Sequence, residues 1–351
     1  MSWISDIARP EIVALKPYEH ASWEPSLERL HANELPWRPT GDESVAGLNR
    51  YPEPQPRELI ARLATVYEAE PNQILVGRGS DEAIDLLVRS FCRAGQDAVL
   101  ICPPTFGMYS VAARIQGADV LAVPLRADAG FSLDVDEILR QCTPRVKLIF
   151  LCSPNNPTGN LLSEDDVLRI AAQVEGRALV VVDEAYIEFA GVPSLIRRVS
   201  DLPQLAVMRT LSKSHGLAGA RLGTLIANPE IIALLRKVIP PYAITQLTVE
   251  TVLRLLNSPQ LAIMQSRIRD IQSERARMAD ELRQLPHVKR VFPSDANFLL
   301  VEFEDPDRAL KAARQANLLI RDVRAQAGLN RSVRISIGTS EQNNRLLEAL
   351  R

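Results

Sequence analysis

The sequence lacks paired cysteines, a charge excess of either sign and any long apolar run, and each absence closes off a class of function. Cys92, Cys102, Cys142 and Cys152 show no C-x-x-C spacing. At least Cys102 and Cys152 fall in or beside apolar runs, where cysteine packs as a small hydrophobe, so neither a metal centre nor a disulfide framework is expected. With 41 basic against 43 acidic side chains, there is no positive excess to draw in nucleic acid or an anionic membrane surface. No stretch reaches the length of a membrane span. Residues 1–10 mix acid and base without an apolar core, so a secretory leader is not expected and a cytoplasmic setting is. Internal repeats and low-complexity tracts are absent too.

What is present is a chain of 351 residues, 46% hydrophobic and 24% charged, ordinary for a globular protein and long enough for two domains. Residues 1–45 hold scattered Pro, Trp and charge with poor periodicity and read as an extended arm, joined to a small domain or to a partner subunit. From residue 58 the pattern alternates. Helices are expected over 58–67, 81–92 and 106–116, and strands over 74–76, 98–102, 119–123, 147–152, 178–182 and 205–208. Several of these strands are apolar without alternation, as in a mainly parallel sheet covered on both faces. A long charged helix over 258–285 follows a Pro-rich turn. Shorter strands (288–292, 298–302, 318–321, 332–337) and helices (309–315, 341–350) complete the chain. The fold class is therefore α/β: a large domain over 46–240 with a mainly parallel sheet sandwiched by helices, and a smaller α/β domain over 241–351.

In open α/β sheets ligands lie beyond the carboxyl ends of the strands, and several polar residues follow the strand-like runs directly. Gly77-Arg78-Gly79-Ser80-Asp81 is a flexible turn into a helix whose N-terminus offers free N–H groups and a positive dipole end to a phosphate. The plainer account is that Ser80 or Asp81 caps that helix, and both can hold together. Asp183 ends a valine run, where a carboxylate is costly to bury without a partner. A protonated pyridine nitrogen is one such partner; a helix cap or an exposed strand end are the alternatives. Tyr186 and Asn156 are placed to donate to a ring hydroxyl, although Asn155-Asn156-Pro157-Thr158-Gly159 also reads as a turn closing a strand. Lys213, in a Ser/Thr/Gly loop with Arg221 nearby, is either a surface lysine or an amine held near an aldehyde within a cationic phosphate cluster. Hydroxyl binding, pyridinium pairing and aldehyde capture are together the needs of pyridoxal phosphate.

Asn-Asn-Pro-Thr-Gly (155–159), Asp-Glu-Ala-Tyr (183–186) and Thr-Leu-Ser-Lys (210–213), in this order, resemble the fold-type I pyridoxal-phosphate aminotransferases. Within them the chain is similar to the histidinol-phosphate aminotransferases, through residues 50–56, 103–109, 183–189 and 333–338. The similarity runs from about residue 15 to the C-terminus. It implies pyridoxal 5'-phosphate held covalently by Lys213, which then acts as base and acid, with Asp183 on the ring nitrogen and Asn156 and Tyr186 on the ring hydroxyl. Ser80, Asp81, Thr210, Ser212 and Arg221 would surround the phosphate, Phe106 would stack on the ring, and Tyr51 would reach the other subunit's cofactor in a homodimer with shared sites. Tyr18, Arg321 and Arg334, with Asn156, would bind the anionic end of substrate. The reaction implied is amino transfer from L-histidinol phosphate to 2-oxoglutarate, giving imidazole-acetol phosphate and glutamate, a step of histidine biosynthesis. An amino-acid aminotransferase of other specificity and a threonine-phosphate decarboxylase would share nearly all these residues.

Three positions depart from the family's pattern. Arg78 stands where Asn is commoner, His215 where Phe is usual, and Leu35 interrupts the arm's Asn-Glu-Asn-Pro motif. None of them removes an expected cofactor contact, although Leu35 bears on how the arm closes over substrate.

Overall fold

The computed structural model describes residues 3–21, 24 and 27–351; residues 1, 2, 22, 23, 25 and 26 of the expected arm lie outside it. Its larger sheet comprises β1 (Ile74–Gly77), β2 (Ala98–Ile101), β3 (Asp119–Ala122), β4 (Val146–Cys152), β5 (Leu179–Asp183), β6 (Leu205–Thr210) and β7 (Gly223–Ile226), in the order β1-β7-β6-β5-β4-β2-β3. Strands β3, β2, β4, β5 and β6 pair in parallel, whereas β7 is antiparallel to both β6 and β1. Both faces are covered. Along β5, Leu179 and Val181 pack with the helices Ser80–Phe91 and Pro229–Arg236, while Val180 and Val182 pack with Arg57–Tyr67 and Glu164–Gln173. That double cover explains why the valine run does not alternate in polarity. Each fully buried Leu or Phe in such a layer contributes about 1.5–3 kcal/mol of transfer free energy.

The smaller sheet is formed by β8 (Val288–Val291), β9 (Phe298–Phe303), β10 (Arg321–Asp322) and β11 (Ser332–Ser336), in the order β10-β11-β9-β8, all antiparallel. Helices Ser258–Arg283, Pro306–Gln315 and Ser340–Leu350 build its core with β9 and β11. Ser258–Arg283 also reaches the larger layer, because Ile268 packs in one cluster with Tyr186, Phe189 and Phe298. Tyr186 and Phe298 meet edge to face with centroids 5.2 Å apart. The two sheets are thereby held facing each other beside the carboxyl end of β5.

Two expectations are revised by packing. Helix Trp3–Ile7 does not join the smaller layer: Ile4, Ile7 and Ala8 are buried against the helices Ser80–Phe91 and Pro229–Arg236, the Ser5 hydroxyl donates to Glu230 at 2.7 Å, and the Lys237 ammonium donates to the Val13 carbonyl at 2.7 Å. Residues 15–56 then run without helix or strand among the described residues. Beyond residue 240, Ala243, Ile244, Val249, Val252 and Leu256 belong to the larger core, as do Phe292, Leu300, Val323 and Leu329 from the later segments. The strand expected over 318–321 is reduced to Arg321–Asp322.

Candidate active site

The parallel strands deliver their carboxyl ends to one edge. Cys152 is the register partner of Asp183, Asp183 of Met208, and both Thr210 and Gly77 of Gly223. At that edge lies a cleft of about 660 Å³ lined by Ser80, Asp81, Phe106, Asn156, Asp183, Tyr186, Thr210, Ser212, Lys213, Arg221, Arg321 and Arg334. Every expected cofactor or substrate contact is there except Tyr18 and Tyr51. Tyr18 is 72% exposed, and Tyr51, 49% exposed, stacks on Tyr242 with centroids 4.5 Å apart.

The turn before the helix Ser80–Phe91 decides between capping and anion binding. Its N-cap is Gly79, at φ +87°, with no side-chain cap. Helices Glu164–Gln173, Ser258–Arg283 and Pro306–Gln315 are by contrast capped by Ser163, Asn257 and Asp305. Ser80 and Asp81 thus do not cap; the first N–H groups of the helix stay without a side-chain acceptor at the cleft wall. A Cβ on Gly79 would lie 2.8 Å from the Arg221 guanidinium, and one on Gly223 would lie 2.2 Å from the Gly79 carbonyl carbon. Both glycines let the turn, β7 and Arg221 close on one another. Arg221 adopts φ +54°, a left-handed conformation that costs a non-glycine residue about 1–2 kcal/mol, and its guanidinium lies 3.5 Å from Asp81.

Asp183 is 3% exposed. Its Oδ2 accepts from the Tyr109 hydroxyl at 2.7 Å and its Oδ1 from the Ala185 amide at 3.1 Å. Burial pushes its carboxyl pKa up, against those two donors. The Tyr109 ring is wholly buried, stacked on Phe150 at 4.8 Å and in edge contact with Phe106 at 5.6 Å. Residues 103–109 carried the family resemblance, but no role fell to Tyr109.

Lys213 lies in the loop between β6 and β7 and remains accessible from the cleft. Burial around its amine, and then Arg334, lower its ammonium pKa, against the pull of Asp183 and Asp81. Its Nζ lies 5.7 Å from the Tyr186 ring centroid. Thr210 Oγ1 sits 3.0 Å from Ser212 Oγ and accepts the Ser212 amide at 3.2 Å. Behind the loop, Arg209 pairs with Glu188 at 2.7 Å and lies 3.6 Å from Glu184, fixing β6 against the turn after β5. His215, on the far side of Lys213, contacts Ser214 at 3.0 Å. It faces a second cleft of about 880 Å³ along the long helix, which is lined by Phe189 and Met264 and contains none of the expected cofactor contacts besides Lys213. Size alone therefore does not pick the active site; the convergence of charged groups does.

The opposite wall comes from the smaller sheet. Arg334 donates to Asn156 Oδ1 and lies 5.2 Å from the Phe298 ring. Its Nε is buried without a partner among the described residues. Arg321 and Arg334 are direct cross-strand partners on β10 and β11, an arrangement in which like charges repel.

A family profile for aminotransferase class I and II matches residues 36–350. The chain belongs to the class I and II aminotransferases. Among aminotransferases of this class it is 46% identical to the histidinol-phosphate aminotransferase of Xanthomonas euvesicatoria pv. vesicatoria (strain 85-10), over 99% of this chain and 97% of that one. Among solved structures it is similar to histidinol-phosphate aminotransferase from Sinorhizobium meliloti in complex with pyridoxal-5'-phosphate, with a TM-score of 0.77 and 25% identity over 86% of this chain and 82% of that one. It is also similar to L-threonine-O-3-phosphate decarboxylase from Porphyromonas gingivalis, with a TM-score of 0.73 and 27% identity over 86% and 92% of the two chains.

Proposed function

We propose that this aminotransferase moves the amino group of L-histidinol phosphate to 2-oxoglutarate, yielding imidazole-acetol phosphate and glutamate, with pyridoxal 5'-phosphate as cofactor. The observation that carries the substrate class is the opposed pair Arg321 and Arg334, facing the cleft that Lys213 enters. Two repelling guanidiniums favour an anionic ligand, and their planar forks suit a phosphate in one half-reaction and carboxylates in the other.

The chain's residues fit the cofactor at both of its ends. The uncapped N-terminus at Ser80 and the Arg221 guanidinium supply donors for a phosphate, and buried Asp183 supplies a counter-charge for a ring nitrogen. Ser212 and Thr210 add hydroxyls at the phosphate end, Asn156 and Tyr186 take the ring hydroxyl, and Phe106 covers a ring face. When bound, the cofactor supplies an aldehyde to receive the amino group and a protonated ring to accept the electrons left on the substrate carbon. Lys213 Nζ would hold that group and would take the proton from the amine-bearing carbon of the substrate. Its lowered pKa favours the free amine this step needs. Phe106 lines the seat and limits water around the reacting carbon, while Phe298 backs it from behind Tyr186 and Arg334.

Tyr51 and Tyr18 lie away from this cleft, and large apolar side chains stand exposed on the arm, among them Leu30 at 93% and Trp37 at 77%. We assign these to a homodimer in which Tyr51 completes the partner's site and the arm covers substrate; exposed apolar area of this kind supports an interface. Among the described residues no helix is long and apolar enough to cross a membrane.

A substrate panel with the holoprotein tests the reading. Histidinol phosphate should convert the bound cofactor to its amine form and 2-oxoglutarate should convert it back. Carbon dioxide release from threonine phosphate, without that conversion, would overturn it.

A further inference from the structure

The Asp183 carboxylate, which would face a ring nitrogen, is itself held by Tyr109, a residue outside the cleft lining. Desolvation favours the neutral acid of Asp183, and a neutral Asp183 leaves a ring nitrogen without its counter-charge. Of the roughly four acceptor positions on a carboxylate, Asp183 commits one to the Ala185 amide and one to the Tyr109 hydroxyl. Only the second of these comes from a side chain. The other groups around Asp183 are Cys152 on the adjacent strand, whose thiol donates to the Pro154 carbonyl at 3.4 Å and is kept neutral by burial, and Asp81 and Lys213 across the cleft.

We propose that Tyr109 is a positioning residue whose hydroxyl keeps Asp183 an anion, so that the ring nitrogen of the cofactor retains its proton. This rests on the pyridoxal phosphate reading above and deepens it. Stacking on Phe150 and the edge contact with Phe106 hold the Tyr109 ring, and its hydroxyl has the Asp183 carboxylate at 2.7 Å as its charged partner beside the neutral Cys152 thiol. Burial and the adjacent carboxylate raise the phenol's own pKa well above its usual value, so it stays a donor throughout the working range. Phe106 touches Tyr109 and also lines the cleft. One aromatic group therefore sets both the face and the charge of the ring site.

The test is the nitrogen-15 resonance of pyridoxal phosphate labelled at its ring nitrogen and bound to the full chain, followed against pH. In Tyr109→Phe, which keeps both ring contacts, the ring nitrogen should lose its proton at a pH lower by about one unit, a tenfold change in proton affinity of the size expected for a hydrogen bond to a charged group. Replacing Tyr109 with 3-fluorotyrosine, a stronger donor of nearly the same shape, should shift it the opposite way, and this protein serves as the test if the phenylalanine variant does not fold. A resonance that titrates identically in the wild type and the altered proteins overturns the assignment to Tyr109, even if cofactor binding is weaker, since a purely structural role loosens binding without moving the nitrogen's proton. Absence of any bound resonance from the wild type would instead overturn the cofactor reading itself.

Discussion

On the wall of the cleft built by the larger sheet, Asp183 is buried with both oxygens hydrogen-bonded, and Thr210 and Ser212 are tied to each other. On the wall built by the smaller sheet, Arg334 keeps a buried Nε without a partner, and Arg321, exposed on a two-residue strand, makes no ion pair among the described residues. The first wall has its polar groups satisfied without a ligand; the second keeps guanidinium donors free for one, although Arg334 already donates to Asn156. That division suits a cofactor that stays and substrates that alternate. A fixed ring site loses nothing to reorganisation at each turnover, while a seat of two guanidiniums accepts phosphate or carboxylate without rebuilding.

Substitutions between and on the two walls should separate these roles. Lys213→Ala has the largest expected effect, the loss of multiple turnovers and of covalent cofactor attachment, read by borohydride trapping and peptide mapping; a variant that kept both would end the comparison altogether. Asp183→Asn comes next. Removing one partner of a buried charge pair costs about 3–5 kcal/mol, so kcat should fall by roughly two to four orders of magnitude. The cofactor-free variant should nevertheless be no less stable than wild type at pH 7. The sign follows from Asp183's raised pKa: between the unfolded and the higher folded value the native state holds the extra proton, stability falls as pH rises through that window, and above it wild type carries a charge that asparagine lacks. A thermal midpoint for the variant several degrees below wild type at pH 7, but not at pH 4, would contradict that account.

Arg334→Ala should raise KM for both histidinol phosphate and 2-oxoglutarate by about 10- to 100-fold, the worth of one hydrogen bond between charged groups, with cofactor affinity unchanged. Loss of cofactor affinity would show that the walls are not separable. The smallest effect belongs to Arg321→Ala. KM should rise for both ligands by less than for Arg334→Ala, and the ligand-free thermal midpoint should stay level or rise, because relief of the cross-strand repulsion is worth about 0.2–1 kcal/mol; a drop of several degrees would show that Arg321 is structural.

The two walls also differed in how far they could be read from sequence. Asp183, Asn156 and Lys213 each follow an apolar run, and because those runs are strands of one parallel sheet, the local pattern alone brings them to a common edge. Arg321 and Arg334 became a pair only through the register of β10 on β11, a tertiary choice that a two-residue strand hardly signals. The same limit hid β7, whose four residues carry no mark of their direction, whereas the helices Val135–Gln141, Glu164–Gln173, Pro229–Arg236 and Gln246–Leu255 do carry local start signals at Asp134, Ser163, Asn228 and Thr245 that the strand-led reading passed over. It also hid the docking of Trp3–Ile7, where three apolar residues in a short stretch find a groove between two distant helices. Tyr109 was illegible for a different reason. Its hydroxyl matters because of what lies in front of it, and the partner is 74 residues away in the chain.

The reversal of β7 has a consequence for how the enzyme moves. Because the chain turns back after β6 instead of crossing over through a helix, residues 211–222 form one loop, closed by the pairing of Thr210 with Gly223, that carries both Lys213 and Arg221. If the smaller layer swings to admit one substrate and release another, amine and guanidinium ride together on the stationary side. The spacing between Lys213 and Arg221 is thus set within one connection of the larger sheet.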